Sequence, residues 1–286
     1  MLSYRHAFHA GNHADVLKHF VFAQTLAYFN QKESNYWVVD THAGAGLYAL
    51  ESEFAQKNAE WKNGIFKTVK SANLTPELKQ FIGLIQILNG FETAKNTVLQ
   101  TYPGSPKIAE YFLRVRDKLR LFELHPADHK ILLKNFAQQS RQTKIEMLDG
   151  FAGIKACLPP PTKRAVVLID PPYEMKDDYQ RVVACIKDSL ARFASGTYII
   201  WYPLLQRPEP LQMVEKLKNL NRNNWLDVTL SIEEPSQDGF GMFGSGLFII
   251  NPPWTLPNTL EDNMPVLRDI LALDSHANFT LSHQIS

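Results

Sequence analysis

Strand signals and helix signals alternate through the second half of the chain, and this alternation constrains the fold more than any other feature. Each short apolar run is followed by an amphipathic stretch with helical spacing. In chain order the strand runs are "KLRLFELHP", "KIEMLDG", "AVVLID" and "GTYIIWYP". Strands that alternate with helices predict a largely parallel sheet covered on both faces. Two closing runs, "LDVTLSIEE" and "GSGLFIINPPW", predict an antiparallel edge.

The first half of the chain provides an opening strand and a region of a different kind. Residues 1–20 are polar, and helical spacing of apolar side chains begins near Asn12. The segment "YWVVDTHAGAGLYAL" predicts a strand ending at Asp40, a glycine turn and the start of a helix. Residues 51–100 have helical patterning without a strand signal. We therefore expect one α/β domain made of residues 1–50 and 101–286, with a small helical insertion at residues 51–100.

Composition limits the class of protein. A length of 286 residues fits one large domain or one domain with an insertion. No apolar stretch approaches the ~20 residues of a membrane span, and the amino-terminal region lacks the apolar core of a signal peptide. Cys157 and Cys185 have neither metal-binding nor redox spacing, which fits a reducing compartment. These features predict a cytoplasmic protein with no membrane partner, and a net charge of +1 neither indicates nor excludes nucleic acid.

Carboxylates end four of the predicted strands: Asp40, Glu123, Asp149 and Asp170. Each alone is an ordinary turn residue, and Asp149 with Gly150 forms a common turn dipeptide. Glu123 fits either of two roles, accepting hydrogen bonds from ribose hydroxyls or favouring a helix amino terminus. Ligands of open parallel sheets bind at the carboxyl ends of the strands. Together the four carboxylates predict an edge lined with hydrogen-bond acceptors suited to a nucleoside.

The most specific motif is Asp170-Pro171-Pro172-Tyr173, directly after the apolar run of the fourth strand. The lone pair of an exocyclic amino group on adenine or cytosine is delocalised into the ring. Two acceptors on its hydrogens, the Asp170 carboxylate and the Pro171 carbonyl, would draw the nitrogen toward tetrahedral geometry. The fixed φ angles of proline preorganise that carbonyl. Tyr173 offers a flat face for base stacking, worth ~1–3 kcal/mol.

Two similar patterns point elsewhere. The turn "THAGAG" contains Gly44 and Gly46, but Ala49 occupies the third glycine position of a dinucleotide fingerprint. The segment "LFIINPPW" repeats the form of the Asp170 motif with Asn251 and ends in Trp254. Its place after the closing strands favours Asp170 as the functional copy, with Trp254 in packing or a lid.

The pairing of "DTHAGAG" with "LIDPPY" is similar to S-adenosylmethionine-dependent amino-methyltransferases. The chain more closely resembles the ribosomal RNA large subunit methyltransferase J family, the 23S rRNA (adenine-2030-N6) methyltransferases of bacteria. The segments that carry this resemblance are "MLSYRHAFHAGNHADVLKH", "YPGSP", "ELHP", "DPPYE" and "INPPW". They extend from Met1 to about Trp254. The resemblance implies a Rossmann-like methyltransferase sheet, mostly parallel with an antiparallel edge. We expect the protein to be a monomer.

The resemblance also implies roles for particular residues. The amino-terminal block, residues 1–20, would help to close over S-adenosylmethionine, with Asp170 as the catalytic acceptor. Glu123 would bind the ribose hydroxyls, and Asp149 and Gly150 would face the adenine of the cofactor. Further cofactor contacts are implied for Lys18, His19, His42, Ser105 and Asp170. Tyr4, with Tyr173, would contact the RNA substrate.

Histidines 6, 9, 13 and 19 raise the question of a metal site. Their spacing matches no standard zinc pattern, and no cysteine accompanies them, so we expect no metal. A sulfonium donor is already activated, and methyl transfer from it needs no metal.

Three alternatives remain open. The Asp170 motif also permits methylation of DNA adenine, of cytosine or of a protein glutamine amide. A second possibility is a nucleic-acid-binding protein that has lost catalysis, which an intact Asp170 and Glu123 disfavour. A nicotinamide oxidoreductase is disfavoured by the glycine spacing. We expect methylation of an adenine N6 in 23S rRNA, after the base has left its stack.

Overall fold

A computed structural model of the chain describes residues 6–90, 99–136, 141–220 and 223–285. The strands are β1 Trp37–Asp40, β2 Leu47–Ala49, β3 Thr101–Pro103, β4 Lys118–Phe122, β5 Thr143–Glu146, β6 Ala165–Ile169, β7 Thr197–Leu204, β8 Asn224–Ser231, β9 Gly244–Ile250 and β10 Asn278–Ile285. The helices are α1 His13–Phe29, α2 Glu53–Asn58, α3 Ile65–Lys70, α4 Pro76–Leu88, α5 Ser105–Phe112, α6 Pro126–Asn135, α7 Gly150–Cys157, α8 Asp177–Arg192, α9 Glu209–Leu220 and α10 Leu256–Leu271. Short 3₁₀ helices cover His6–Phe8 and Glu60–Lys62.

Eight strands form the main sheet in the order β10-β8-β9-β7-β6-β1-β4-β5. Strands β5, β4, β1, β6 and β7 pair in parallel. Strand β9 runs antiparallel to β7, and β8 and β10 continue the antiparallel edge. The predicted α/β sheet, mostly parallel with an antiparallel edge, is therefore confirmed.

The two faces of the sheet carry separate hydrophobic cores. Adjacent strand residues alternate between the cores, because successive side chains point to opposite faces. Val38 of β1 packs with α1, α4 and α10, whereas Val39 packs with α7, α8 and α9. Burial on both faces explains why β6, in the middle of the sheet, is continuously apolar.

The region between residues 51 and 100 is helical where it is described, with α2, α3 and α4. The predicted helix start after the glycine turn is wrong. Leu47–Ala49 instead forms β2, which pairs antiparallel with β3 in a separate two-stranded ribbon. This ribbon joins the two ends of the helical region, so the chain returns to the main sheet beside the point where it left. Leu78, Phe81 and Ile85 of α4 belong to the same core as α1.

The carboxyl-terminal segment completes the sheet. Helix α10 packs on α1, α3 and α4, and β10 pairs with the full length of β8. None of the helices among the described residues is long and apolar enough to cross a membrane.

Candidate active site

Helix α1 brings a lysine to the end of the fourth parallel strand. Asn12 caps the helix by accepting a hydrogen bond from the Asp15 backbone N–H at 3.0 Å. One turn later, Lys18 Nζ lies 2.9 Å from Asp15 Oδ1 and 2.5 Å from Asp170 Oδ2. The Asp170 side chain is 14% exposed and the Lys18 side chain 5%. A buried ammonium therefore joins a fully buried carboxylate, Asp15, to a largely buried one, Asp170, far away in the sequence.

Burial and charge act in opposite directions on this cluster. Burial alone would lower the pKa of the Lys18 ammonium, but Asp15 and Asp170 outweigh it and raise that pKa above its ordinary value. Burial raises the pKa of Asp170, and the charge of Lys18 offsets part of that rise. The Asp15 pKa lies well below its usual range, because the nearby cationic groups outweigh burial. Lys18 is consequently charged at neutral pH.

Asp15 belongs to this cluster although the sequence did not identify it as a site residue. It is fully buried and accepts hydrogen bonds from the Gly11 backbone N–H at 2.9 Å and from His6 Nε2 at 2.9 Å. The available signal was an acid and a lysine three residues apart on a largely apolar helix. A buried carboxylate at such a position requires a charged partner.

The glycine turn and Glu123 form a second part of the site. Glu123 Oε2 accepts a hydrogen bond from the Gly44 N–H at 2.7 Å, and Oε1 accepts one from the His125 N–H at 2.6 Å. Gly44 has φ +58°, and a Cβ there would lie 2.2 Å from the Tyr48 hydroxyl oxygen. Only glycine fits this turn. The two backbone donors fix the carboxylate, and each oxygen retains a further acceptor site.

Asp149 and Gly150 bring the third strand end against the first. Asp149 caps α7 by accepting from the Phe151 N–H at 2.9 Å, and it forms an ion pair with Arg181. A Cβ on Gly150 would lie 1.9 Å from the Thr41 carbonyl oxygen. This close approach of backbones explains the glycine, beyond the ordinary turn that the dipeptide suggests.

Of the four strand-end carboxylates, Asp40 does not line the cavity at this edge, so the expectation that all four would line it is wrong for this residue. Asp40 is fully buried below the site and accepts hydrogen bonds from Ser105 Oγ at 2.6 Å and from the His42 N–H at 3.2 Å. Burial raises its pKa to about 7. Asp40 thus positions Ser105 and His42 and does not face the cavity.

The two histidines proposed as cofactor contacts differ in their surroundings. His19 is buried, and its Nδ1 lies 2.7 Å from the Tyr102 hydroxyl. The two rings stack on each other. His42 packs edge-on against Phe151. Burial lowers the pKa of His19 to about 3 and that of His42 to about 4, so both are neutral at pH 7. Both side chains line the cavity, and cofactor contact stays a prediction for each.

Tyr173 is held more tightly than the sequence suggested. It has φ +50°, an uncommon conformation for a bulky residue that tends to occur at functional sites. Its hydroxyl donates to the Trp201 carbonyl at 2.7 Å, and its ring lies 4.5 Å from that of Tyr179. With 3% of its surface exposed, Tyr173 presents little of its face in this conformation. Base stacking by Tyr173 stays a prediction.

The second Pro-Pro segment lies at the opposite edge of the sheet. Because β9 is antiparallel to β7, its last residues reach the amino ends of the parallel strands. Thr197, the first residue of β7, donates to the Asn251 carbonyl at 2.7 Å. Asn251 therefore lies away from the cavity that Asp170 lines, and the role of Asp170 as the functional copy stays a prediction. Tyr4, the predicted RNA contact, lies outside the described residues.

A cavity of about 560 Å³ opens at the carboxyl edge, within the range of small-ligand sites. The predicted residues that line it are Lys18, His19, His42, Ser105, Glu123, Asp149, Gly150, Asp170, Pro171 and Tyr173. Seven carboxylates and three Lys or Arg side chains line the cavity. This excess of negative charge suits a cationic ligand. In the part of the chain that is described, no group of three or more His, Cys, Asp or Glu side chains has metal-binding geometry.

Other residues that line the cavity were not identifiable from the sequence. His6, Trp201 and Arg181 face it from the amino-terminal segment, β7 and α8. Trp201 lies within an apolar strand, where a tryptophan predicts core packing, and Arg181 lies in an amphipathic helix, where an arginine predicts a solvated face. Only the tertiary structure places them at the site.

The strand order, the antiparallel β9 beside β7 and the cavity at the carboxyl edge define a Rossmann-like methyltransferase fold. The model of the family described as "Ribosomal RNA large subunit methyltransferase D, RlmJ" matches residues 33–282. The chain belongs to this family.

Relatives of the chain are similar over almost their full length. It is 42% identical to the ribosomal RNA large subunit methyltransferase J of Escherichia coli (strain K12), covering 99% of this chain and 98% of that protein. It is 41% identical to the protein of that name from Haemophilus influenzae, covering 98% of each. A crystal structure of a protein from Legionella pneumophila, 31% identical, matches with a TM-score of 0.86 over 97% of this chain and 100% of that one.

Proposed function

We propose that this chain transfers the methyl group of S-adenosylmethionine to the exocyclic N6 of an adenine in 23S rRNA. The family supports ribosomal RNA as the substrate. The observation that carries the proposal is the position of Asp170, which lies at the carboxyl end of β6, lines the cavity and is bound by Lys18.

An amino group becomes a better nucleophile when acceptors bind its hydrogens. An ionised carboxylate only accepts hydrogen bonds, whereas a protonated one also donates. The Lys18 ammonium, 2.5 Å from Asp170 Oδ2, opposes protonation of Asp170 and so maintains the acceptor form. Pro171 lines the same cavity and has a carbonyl whose position its fixed ring restrains. Asp170 thereby acts through position and charge, without serving as a strong base.

The residues of the cavity fit the cofactor. S-adenosylmethionine, when bound, supplies an electrophilic methyl group on a positively charged sulfur. The carboxylates around the cavity complement such a cation, and Glu123 is preorganised by Gly44 and His125 to accept from ribose hydroxyls. Asp149 and Gly150 line the same cavity, and we propose that they face the adenine of the cofactor.

The assay is methyl transfer from labelled S-adenosylmethionine to deproteinised 23S rRNA that lacks the modification. Wild type should give label in N6-methyladenine. Asp170→Asn should lose about 10²–10³ in kcat, as when a preorganised electrostatic contact is removed. Asp262→Asn removes a charge from an exposed position of α10 and should retain full activity.

The alternatives predict different products. RNA should be preferred over DNA of matched sequence; equal or greater labelling of DNA, or labelling of a protein amide, would overturn the assignment of the substrate. We propose action as a monomer in the cytoplasm. Both cysteines are buried free thiols, which supports a reducing compartment such as the cytoplasm.

A further inference from the structure

The connection between β8 and β9, residues 232–243, lies at the same edge of the sheet as the cavity. Strand β8 runs in the direction of β7, because both are antiparallel to β9. Met242, in this connection, lines the cavity together with Leu205. A Cβ on Gly239 would approach Gln206 Oε1 at 3.4 Å. The connection therefore forms part of the cavity mouth.

The tip of this connection is a defined turn that presents an aromatic ring. The Gly239 N–H donates to the Ser236 carbonyl at 3.0 Å. Asp238 Oδ1 accepts from Ser236 Oγ at 2.7 Å and from the Phe240 N–H at 3.0 Å. Phe240 follows, 80% exposed, between Gly239 at φ +78° and Gly241 at φ +94°.

The exposure of Phe240 points to a function because this residue lies beside the cavity. A single exposed apolar side chain elsewhere on a protein surface would need no explanation. Phe240 is two residues from Met242, so its Cα lies within about 7 Å of that of a residue lining the cavity. Apart from the two residues next to it in the chain, none of the described residues has an atom within 4 Å of a Cβ built on Gly241, which leaves space beside the tip.

We propose that Phe240 enters the base stack of the RNA at the place vacated by the target adenine. This inference rests on the proposed function, which requires the adenine to leave its stack. Apolar side chains such as Phe and Leu act as wedges between the bases of nucleic acids, and aromatic rings stack on any base. Filling the vacancy stabilises the extruded state without contacting the methylated nitrogen.

The test compares one adenine in two contexts. The modified adenine is first mapped in the wild-type product by mass spectrometry. Two RNA probes are then prepared, a hairpin in which that adenine is paired and a single-stranded oligonucleotide of the same local sequence. Phe240→Ala should lower kcat/KM on the hairpin about tenfold or more, because unstacking a base costs a few times the thermal energy. On the single strand it should remain within about twofold of wild type.

Two further variants sharpen the comparison. Phe240→Leu keeps an apolar wedge and should recover most of the hairpin activity. Trp254, predicted from the sequence to pack or to act as a lid, is instead 70% exposed at the opposite edge of the sheet and does not line the cavity. Trp254→Ala should therefore match wild type on both probes. With 2-aminopurine in place of the target adenine in the hairpin, wild type should increase the fluorescence on binding and Phe240→Ala should do so less.

The possible results distinguish the proposed role of Phe240 from the proposed function. If wild type methylates both probes and Phe240→Ala equals it on the hairpin, the wedge is wrong while the proposed function stands. Equal impairment on both probes would also overturn the wedge, since it would indicate a contact inside the pocket. If wild type methylates no RNA, the proposed function fails and this inference fails with it. An unchanged melting temperature of Phe240→Ala excludes misfolding as the cause.

Discussion

The carboxyl group of Asp40 should make the stability of the protein depend on pH in a direction unusual for an aspartate. Asp40 is fully buried under the turn that carries His42, and burial raises its pKa to about 7 from 3.8. Between those values the folded protein holds the proton on Asp40 while the unfolded chain releases it. Stability from this group is therefore complete below the lower value and lost as pH rises through about 7.

The magnitude follows from the pKa difference. The change from 3.8 to about 7 corresponds to roughly 4 kcal/mol in the free energy of unfolding, at about 1.4 kcal/mol per pKa unit. About 3 kcal/mol of this falls between pH 5 and pH 8. Asp40→Asn cannot ionise, and its amide oxygen can still accept one of the hydrogen bonds from Ser105 and His42.

Urea unfolding of wild type and Asp40→Asn at pH 5 and pH 8 measures the effect. The stability of the variant relative to wild type should increase by about 3 kcal/mol between the two pH values. Asp262→Asn, exposed on α10, controls for the loss of one negative charge. An equal difference between Asp40→Asn and wild type at both pH values would refute the reasoning, because Asp40 would then not titrate with folding.

Three other substitutions test separate parts of the site. Lys18→Met leaves the Asp15 and Asp170 carboxylates without their cation and should lower the free energy of unfolding in urea by about 3–5 kcal/mol. It should also move the acidic limb of the pH–activity profile to higher pH. An unchanged pH–activity profile would contradict the role given to Lys18. Gly150→Ala forces Cβ against the Thr41 carbonyl and should lower the free energy of unfolding by about 1–3 kcal/mol. Gly83→Ala, in α4, puts a Cβ where no described residue outside its own helix comes within 4 Å, and should raise that free energy by up to about 1 kcal/mol. Equal effects of the two substitutions would argue against the close contact. Glu123→Gln should weaken S-adenosylmethionine binding about tenfold in calorimetry, since hydrogen bonds to charged groups contribute about 1.5–3 kcal/mol; unchanged affinity would remove Glu123 from the ribose site.

The parallel core of the fold was predictable because its signals are local. The apolar run from Val166 to Ile169 is buried on both faces, and a strand buried in this way has a continuous apolar sequence in any parallel sheet. The end of that strand is equally local, so the position of Asp170 at the carboxyl edge followed from the motif and the sheet rule. Gly44 was identifiable as a turn residue for the same reason.

Other parts of the structure depend on contacts that no local pattern contains. Strand β2 exists because it pairs with β3, about fifty residues later, and the apolar residues of Leu47–Ala49 fit a helix or a strand equally well. Asp40 and Glu123 look alike in the sequence, but one is covered by Ser105 while the other faces the cavity. The bond between Lys18 and Asp170 requires two elements whose packing only the tertiary fold determines.

The last strand changes which surface the sheet offers to other molecules. Along β10 the side chains from Asn278 to Ile285 are exposed or half-exposed, whereas β8, its neighbour in the sheet, carries the fully buried Leu226, Val228 and Leu230. Unpaired edges of apolar strands are templates for intermolecular pairing. Because β10 occupies the hydrogen-bonding edge of β8, it prevents β8 from pairing with a strand of another molecule. Cleavage before residue 278 should therefore produce aggregation, visible as increased light scattering, while Lys18, Glu123 and Asp170 remain untouched.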